Sequence, residues 1–139
     1  RVVREDNQPD DPVRIAVIQG GLGFAAEAPL PPVRHEPTSE TGLAHRDGTL
    51  SMARREPGTA SSEFFVCLGD QPELDHGGRR NPDGQGFAAF GRVEAGMDVV
   101  RAIHRGAIGE ATDARGRFAT QLLASPVRIL AVERLPALP

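Results

Sequence analysis

The sequence predicts a mostly β fold, built as an antiparallel barrel or sandwich. Its apolar residues form several short runs of strand length, and segments rich in glycine, proline and acidic residues separate them. Only one segment has the spacing of an amphipathic helix. Many short strands with glycine-rich corners and one helix are typical of antiparallel architectures. A length of 139 residues fits one domain.

The first half of the chain is predicted to contain most of the strands. Val2-Val3 is typical of the end of a strand, and the turn-rich REDNQPDDP stops it. Residues 23–47 are predicted to be an irregular surface excursion with a short edge strand near residues 33–36, because prolines and polar residues dominate there. The longer strands are VRIAVIQG at 13–20, TLSMAR at 49–54 and EFFVCLGD at 63–70.

The second half is predicted to add a strand, the helix and a last strand. FAAFGRV at 87–93 has strand character, and VRILAVERL at 127–135 alternates its side chains between two faces. After Gly96 the apolar residues Met97, Val100 and Ile103 repeat every three positions, so a helix is expected to end near Arg105-Gly106.

Composition excludes some classes of partner. All sixteen basic residues are arginines scattered along the chain, and the net charge is -3, so no basic field attracts nucleic acid. No run approaches the eighteen or so apolar residues of a membrane span, and no signal peptide is visible.

Cys67 is expected to be a buried, inert thiol. One cysteine cannot decide between periplasm and cytoplasm.

The sequence does not indicate a metal or a cofactor. The histidines lie far apart without the spacing of metal ligands, at His35, His45, His76 and His104. The glycines of QGGLGF follow a strand but open no helix, which argues against a dinucleotide fingerprint.

Two adjacent phenylalanines in SSEFFVCLGD bear on function. Successive strand side chains point to opposite faces, so Phe64 and Phe65 cannot enter the same core. If Phe64 and Val66 face the core, then Phe65 lies on the outer face together with Glu63 and Cys67. The alternative is that a helix or loop covers Phe65 and buries the sheet on both faces.

Several uncommon words of the sequence, in the right order, carry a resemblance. They are RVVR with VIQGG, SMARREPGTASSEFFVCLGD, the LD of Leu74-Asp75, and FGRVEAGMDVV from Phe90 to Val100. Together they resemble the cyclophilin family of peptidyl-prolyl cis/trans isomerases, over nearly the whole chain. We therefore interpret residues 1–139 as a bacterial-type, cyclophilin-like domain.

The resemblance implies a closed eight-stranded antiparallel barrel capped by two helices. It also makes Arg1 the counterpart of the family's catalytic arginine, which sits about a third of the way into the domain. The first two strands and first helix would then be missing from this sequence, so we expect a sheet with bare edges and a natural protein that begins upstream.

The same resemblance assigns site residues. Arg1 would donate a hydrogen bond to the proline nitrogen, Phe65 would form the floor of the proline pocket, and Gln19 would hold the flanking peptide. Glu63 is placed with Arg1 and Phe65 in the catalytic group. The other candidates for substrate binding are the pocket walls Val17, Ala53 and Leu74, the backbone at Arg54, and Phe87. Without the resemblance, Arg1 could be a frayed terminus, Gln19 a cap of a strand end, and Phe87 barrel filler.

Four positions depart from the family pattern. Glu63 replaces a glutamine, Glu73 replaces an aromatic residue at the pocket lip, and Phe87 stands where histidine or tyrosine is usual; Ala16 also replaces a phenylalanine. An ionised Glu63 can only accept hydrogen bonds, so it could lock Arg1 in place or draw it away from the proline.

We therefore expect a weakened isomerase, with proline-containing peptides and unfolded chains as partners, no cofactor, and a monomeric state. A binding module that grips proline peptides without catalysis, and a structural barrel with a vestigial groove, are the alternatives.

Overall fold

The computed structural model describes residues 1–22, 30–110, 118 and 120–136. Five strands and two helices form its regular structure. The strands are β1 (Val2–Val3), β2 (Val17–Gly20), β3 (Thr49–Met52), β4 (Phe64–Cys67) and β5 (Ala88–Arg92), and the helices are α1 (Thr38–Thr41) and α2 (Met97–His104). Single 3-10 turns occur at Glu5–Asn7 and Pro72–Leu74. The fold is mostly β, as the sequence predicts.

The five strands form one antiparallel sheet in the order β1-β2-β4-β3-β5. A register shift between Leu50 and Ser51 interrupts the pairing of β3 with β5. β1 and β5 are the edges, so the sheet does not close into a barrel within the described ranges. The described residues therefore do not form the closed barrel of the full family domain. They form the open sheet with bare edges that the sequence predicts for this chain.

The helix prediction is confirmed. α2 begins after Gly96, whose backbone is left-handed at φ 92°, and ends at His104, with Arg105 as its C-cap. The predicted stripe of Met97, Val100 and Ile103 is half-buried. Arg4 donates from Nε to the carbonyl oxygen of His104 at 2.7 Å, which satisfies one of the unpaired carbonyls at the helix end. The one-turn helix α1 was not predicted.

The strands predicted at 49–54, 63–70 and 87–93 are confirmed but are shorter than predicted. Three other strand predictions need larger corrections. The second strand is confined to Val17–Gly20, because residues 13–15 are tied instead to side chains of a neighbouring loop: Ile15 N donates to Gln8 Oε1 at 3.3 Å. The expected edge strand at 33–36 is irregular, although Val33 N donates to the distant Ala60 O at 2.8 Å. Residues 127–135 are also irregular, since no described residue pairs with them as a strand.

The core lies on the face of the sheet that carries Phe65. It consists of Val3, Ile15, Val17, Phe65, Cys67 and Leu74, with Ala53 and Phe87 packed against it. The prediction that Phe64 and Val66 face the core while Phe65 lies on the outer face is wrong. Val66 is buried on the other face and Phe64 is half-buried, so both faces of β4 are covered, which is the alternative that alternation left open.

The thiol of Cys67 has no exposed surface. Burial raises its pKa to about 12, so it remains protonated and inert at neutral pH. Its expected burial is confirmed.

Candidate active site

Three predicted site residues lie in one row across the sheet. The backbone nitrogen of Arg1 donates to Gln19 O at 2.8 Å, and Gln19 N donates to Arg1 O at 2.9 Å. Gln19 is in turn paired with Phe65, and Phe65 with Ser51 of β3. Residues directly opposite one another in a sheet project to the same face. The structure therefore places Arg1, Gln19 and Phe65 on one face.

The guanidinium of Arg1 packs on an aromatic ring that the sequence did not single out. Its Cζ lies 4.1 Å from the centre of the Phe118 ring, which is within the range of a cation–π interaction. Phe118 has a left-handed backbone with φ 64°, and its carbonyl oxygen accepts from Gln121 N at 2.8 Å. A lone aromatic in a polar loop has no periodic pattern that would have revealed this role.

Glu63 lies beside this row. Its carboxylate packs on Gly21, where an added Cβ would also stand 2.7 Å from the carbonyl oxygen of Ser62, so a residue without a side chain is needed there. Glu63 is half-buried and precedes Phe64, the first residue of β4.

Phe65 is only 4% exposed, so the expectation of an outward-facing floor is wrong for the free chain. His45 stacks on the ring with centroids 6.0 Å apart, and Phe87 meets it edge-on at 5.4 Å. The predicted wall residues Val17 and Leu74 are buried in the same cluster, whereas Ala53 and Phe87 are only partly buried.

A buried polar chain supports Phe65. His45 Nδ1 lies 2.7 Å from Asp75 Oδ1, and its Nε2 lies 2.9 Å from Ser51 Oγ. These residue types are those of a nucleophilic triad, but Ser51 has no exposed surface and cannot reach a substrate. These two hydrogen bonds therefore fix the orientation of the His45 imidazole that stacks on Phe65. No ligand or catalytic spacing in the sequence points to His45.

This buried histidine predicts a pH dependence of stability. Burial lowers the pKa of His45 from its ordinary value of 6.5, although the hydrogen bond with Asp75 opposes the shift. The unfolded chain then binds more protons than the folded one, so stability falls as the pH drops below 6.5, by up to about 1.4 kcal/mol per pH unit.

We expect His45→Asn to flatten this slope in urea unfolding measured between about pH 7.5 and about pH 5.5. The exposed His76 offers the matched substitution His76→Asn, which should keep the wild-type slope. An equal slope in the wild type and the His45 variant would contradict the assignment.

The remaining candidates surround this cluster. Glu73, at the predicted pocket lip, is bound by Arg79 through Nε at 3.1 Å, and hydrogen bonds from Arg79 lower its pKa to about 2. Glu73 is therefore ionised and already paired. Ala16 is half-buried, and its nitrogen donates to Gln71 Oε1 at 3.3 Å. The side chain of Arg54 is buried and paired with Asp83, a use that the sequence did not indicate.

Two surface grooves lie elsewhere. One of about 350 Å³ is lined by residues such as Met52, Ala88 and Phe90, and one of about 340 Å³ lies between Ile103 and Leu123. Neither is lined by a predicted site residue. Within the described ranges no three His, Cys, Asp or Glu side chains cluster as metal ligands, and none of the helices has the length and apolar character to cross a bilayer.

Comparison with known proteins decides the family. The profile of the family described as cyclophilin type peptidyl-prolyl cis-trans isomerase/CLD matches residues 6–133, which is most of the chain. The chain belongs to this cyclophilin family. The resemblance drawn from the sequence motifs is thereby confirmed, although Arg1 lies outside the matched range.

Curated relatives carry the same family name. The chain is 42% identical over 88 residues to peptidyl-prolyl cis-trans isomerase A of Dickeya dadantii, covering 60% of this chain and 43% of that protein. It is 39% identical over 92 residues to isomerase cyp18 of Streptomyces antibioticus (63% and 53%) and 36% identical over 97 residues to isomerase B of Escherichia coli (67% and 57%). The chain spans about half the length of these relatives.

Proposed function

We propose that this cyclophilin is a peptidyl-prolyl cis/trans isomerase that acts on X-Pro bonds in flexible or unfolded chains. The observation that carries the proposal is the row of Arg1, Gln19 and Phe65 on one face of the sheet. This row brings a cationic donor, an amide and an aromatic ring together, although they are far apart in sequence.

The chemistry needs no bond to be broken. Rotation about a peptide bond meets a barrier of roughly 18–20 kcal/mol because resonance keeps the amide planar. As the amide twists, resonance is lost and the proline nitrogen gains a lone pair that accepts a hydrogen bond. An enzyme that binds the twisted form better than either planar form accelerates the exchange.

Arg1 supplies the donor in this proposal. A guanidinium keeps its charge at every pH a protein meets and presents five N–H donors in a fixed fork. Packing on Phe118 restricts the orientation of the guanidinium, so the side chain loses less conformational freedom when the substrate binds. Gln19, the next residue in the row, carries an amide that can both donate to and accept from the flanking peptide.

Phe65 is the aromatic surface for the proline ring. Because it is buried in the free chain, a proline reaches it only when neighbouring side chains move aside. Phe87 packs at the margin of the cluster and is partly buried, so we infer that its ring moves first.

Exchange spectroscopy on a short proline peptide tests the function. The proposal predicts that adding the chain accelerates cis/trans exchange of the peptide. Shifted peptide signals without faster exchange would instead indicate a binding module, and the absence of both would indicate a structural protein with a vestigial groove. Either of these results would overturn the proposal.

The carboxylate of Glu63 leads to a prediction for the rate of cis/trans exchange. Glutamine can donate to a substrate carbonyl, whereas an ionised carboxylate only accepts. We expect Glu63→Gln to raise the exchange rate about two- to tenfold, as one added net hydrogen bond would. Glu56→Gln, in an exposed turn, serves as the matched control. An unchanged rate in the Glu63 variant would show that this position does not limit catalysis.

A further inference from the structure

Arg54 carries a charge in a buried position. It follows β3 after Ala53, and its side chain is 1% exposed. A charged group withdrawn from water is stable only when it is paired and hydrogen-bonded. The partners of Arg54 therefore show what this side chain does.

All five N–H donors of Arg54 are engaged within the protein. Nη1 donates to Asp83 Oδ2 at 2.8 Å and to Arg55 O at 3.1 Å. Nη2 donates to Asp83 Oδ1 at 3.0 Å and also to Gly86 O, and Nε donates to Gly86 O at 2.9 Å. Since no donor is left over, this guanidinium does not recognise a substrate group directly.

These contacts fix the backbone that carries Phe87. Gly86 is left-handed at φ 61°, and an added Cβ would stand 2.5 Å from the carbonyl carbon of Asp75, so the two backbones touch. Phe87 N donates to Leu74 O at 2.9 Å. The loop is thus held from one side by the 74–75 backbone and from the other by Arg54.

The same guanidinium contacts the aromatic ring. The Cζ atom of Arg54 lies 5.2 Å from the centre of the Phe87 ring, within the range of a cation–π interaction. Phe87 in turn meets Phe65 edge-on at an interplanar angle of 89°. A continuous set of contacts therefore runs from Asp83 through Arg54 and Phe87 to Phe65.

Asp83 is held in the orientation that its ion pair with Arg54 needs. Besides the bidentate pair with Arg54, its Oδ1 accepts from Gln85 N at 2.9 Å, which orients the carboxylate. The hydrogen bonds from Arg54 lower the pKa of Asp83 to about 2, so the pair stays ionised at neutral pH.

We propose that Arg54 and Asp83 are positioning residues that hold the Phe87 ring as the movable wall over Phe65. This inference rests on the proposed isomerase function, because the position of Phe87 affects function only if a substrate proline has to reach Phe65. Arg54 acts on the substrate only through Phe87.

The test compares Arg54→Lys and Asp83→Asn with wild type. Lysine keeps the charge but cannot donate to Asp83 and Gly86 from one planar fork. For both variants we expect the NOEs between the Phe65 and Phe87 rings of the free chain to weaken. We also expect KM for a proline peptide to fall about fivefold, because a wall that has lost about one net hydrogen bond of support opens at a lower free-energy cost, with kcat nearly unchanged.

The matched control is Asp70→Asn. Asp70 also pairs with an arginine, Arg46, at 2.8 Å, but both side chains are more than half exposed. It should change neither the ring NOEs nor KM.

The two proposals fail in different ways. Full ring NOEs in folded Arg54→Lys and Asp83→Asn chains would overturn the positioning role, whatever the activity. A fall in kcat with KM unchanged would also overturn it. Absence of exchange acceleration by the wild-type chain would overturn the isomerase function, while weakened ring NOEs in the variants would still support the role of Arg54 in holding Phe87.

Discussion

Replacing Arg1 with alanine is expected to lower kcat/KM for a proline peptide by about a hundredfold or more, the loss typical of removing one preorganised donor to the transition state. The twisted amide has its new hydrogen-bond acceptor at the proline nitrogen, and in this account only Arg1 serves that atom. Because the planar ground states lack the acceptor, kcat should fall more than KM rises.

Arg1→Lys separates charge from geometry. It keeps the positive charge but loses the planar fork and part of the packing on Phe118. We expect an intermediate rate. The control is Arg92→Ala, since Arg92 is 76% exposed and pairs only at the surface with Glu94. Wild-type rates in the Arg1→Ala variant would remove Arg1 from the mechanism.

Replacing Phe65 with alanine is expected to lower the free energy of unfolding by about 3–5 kcal/mol. The ring is 4% exposed and contacts His45 and Phe87, so its removal leaves a cavity in the core cluster. Phe90 is 53% exposed on the edge strand, so Phe90→Ala should cost much less. Urea unfolding of both variants measures the difference.

A loss of this size can unfold a small domain, since native proteins are stable by only about 5–15 kcal/mol. Phe65→Leu fills more of the space and should stay folded while losing the flat aromatic surface. We expect it to raise KM for proline peptides. Equal destabilisation by Phe65→Ala and Phe90→Ala would contradict the position of Phe65 in the core.

The sequence predicted the regular parts of the fold well, because local patterns specify them. The apolar spacing after Gly96 located α2, and the apolar run containing Phe65 located β4. The strand at 127–135 was wrong for a non-local reason. Its alternating pattern is typical of a strand, but a strand also needs a hydrogen-bonding partner, and none of the described residues provides one.

Only those residues of the candidate site that belong to the family motifs could be predicted from the sequence. The motif resemblance named Arg1, Gln19 and Phe65, and the sheet register places them in one row. The face of Phe65 was predicted incorrectly, because alternation separates two faces but does not say which one is covered. His45 and Asp83 were missed since their roles depend on contacts across 30 and 29 residues of sequence.

The central claim is that a substrate proline sits on Phe65 with Arg1 at its nitrogen. Intermolecular NOEs between a proline peptide and the chain, with phenylalanine rings labelled, test it most directly. The account predicts contacts from the proline ring protons to Phe65 and Phe87, together with accelerated exchange. Contacts instead to Phe90 and Met52, which line the groove of about 350 Å³, would contradict it.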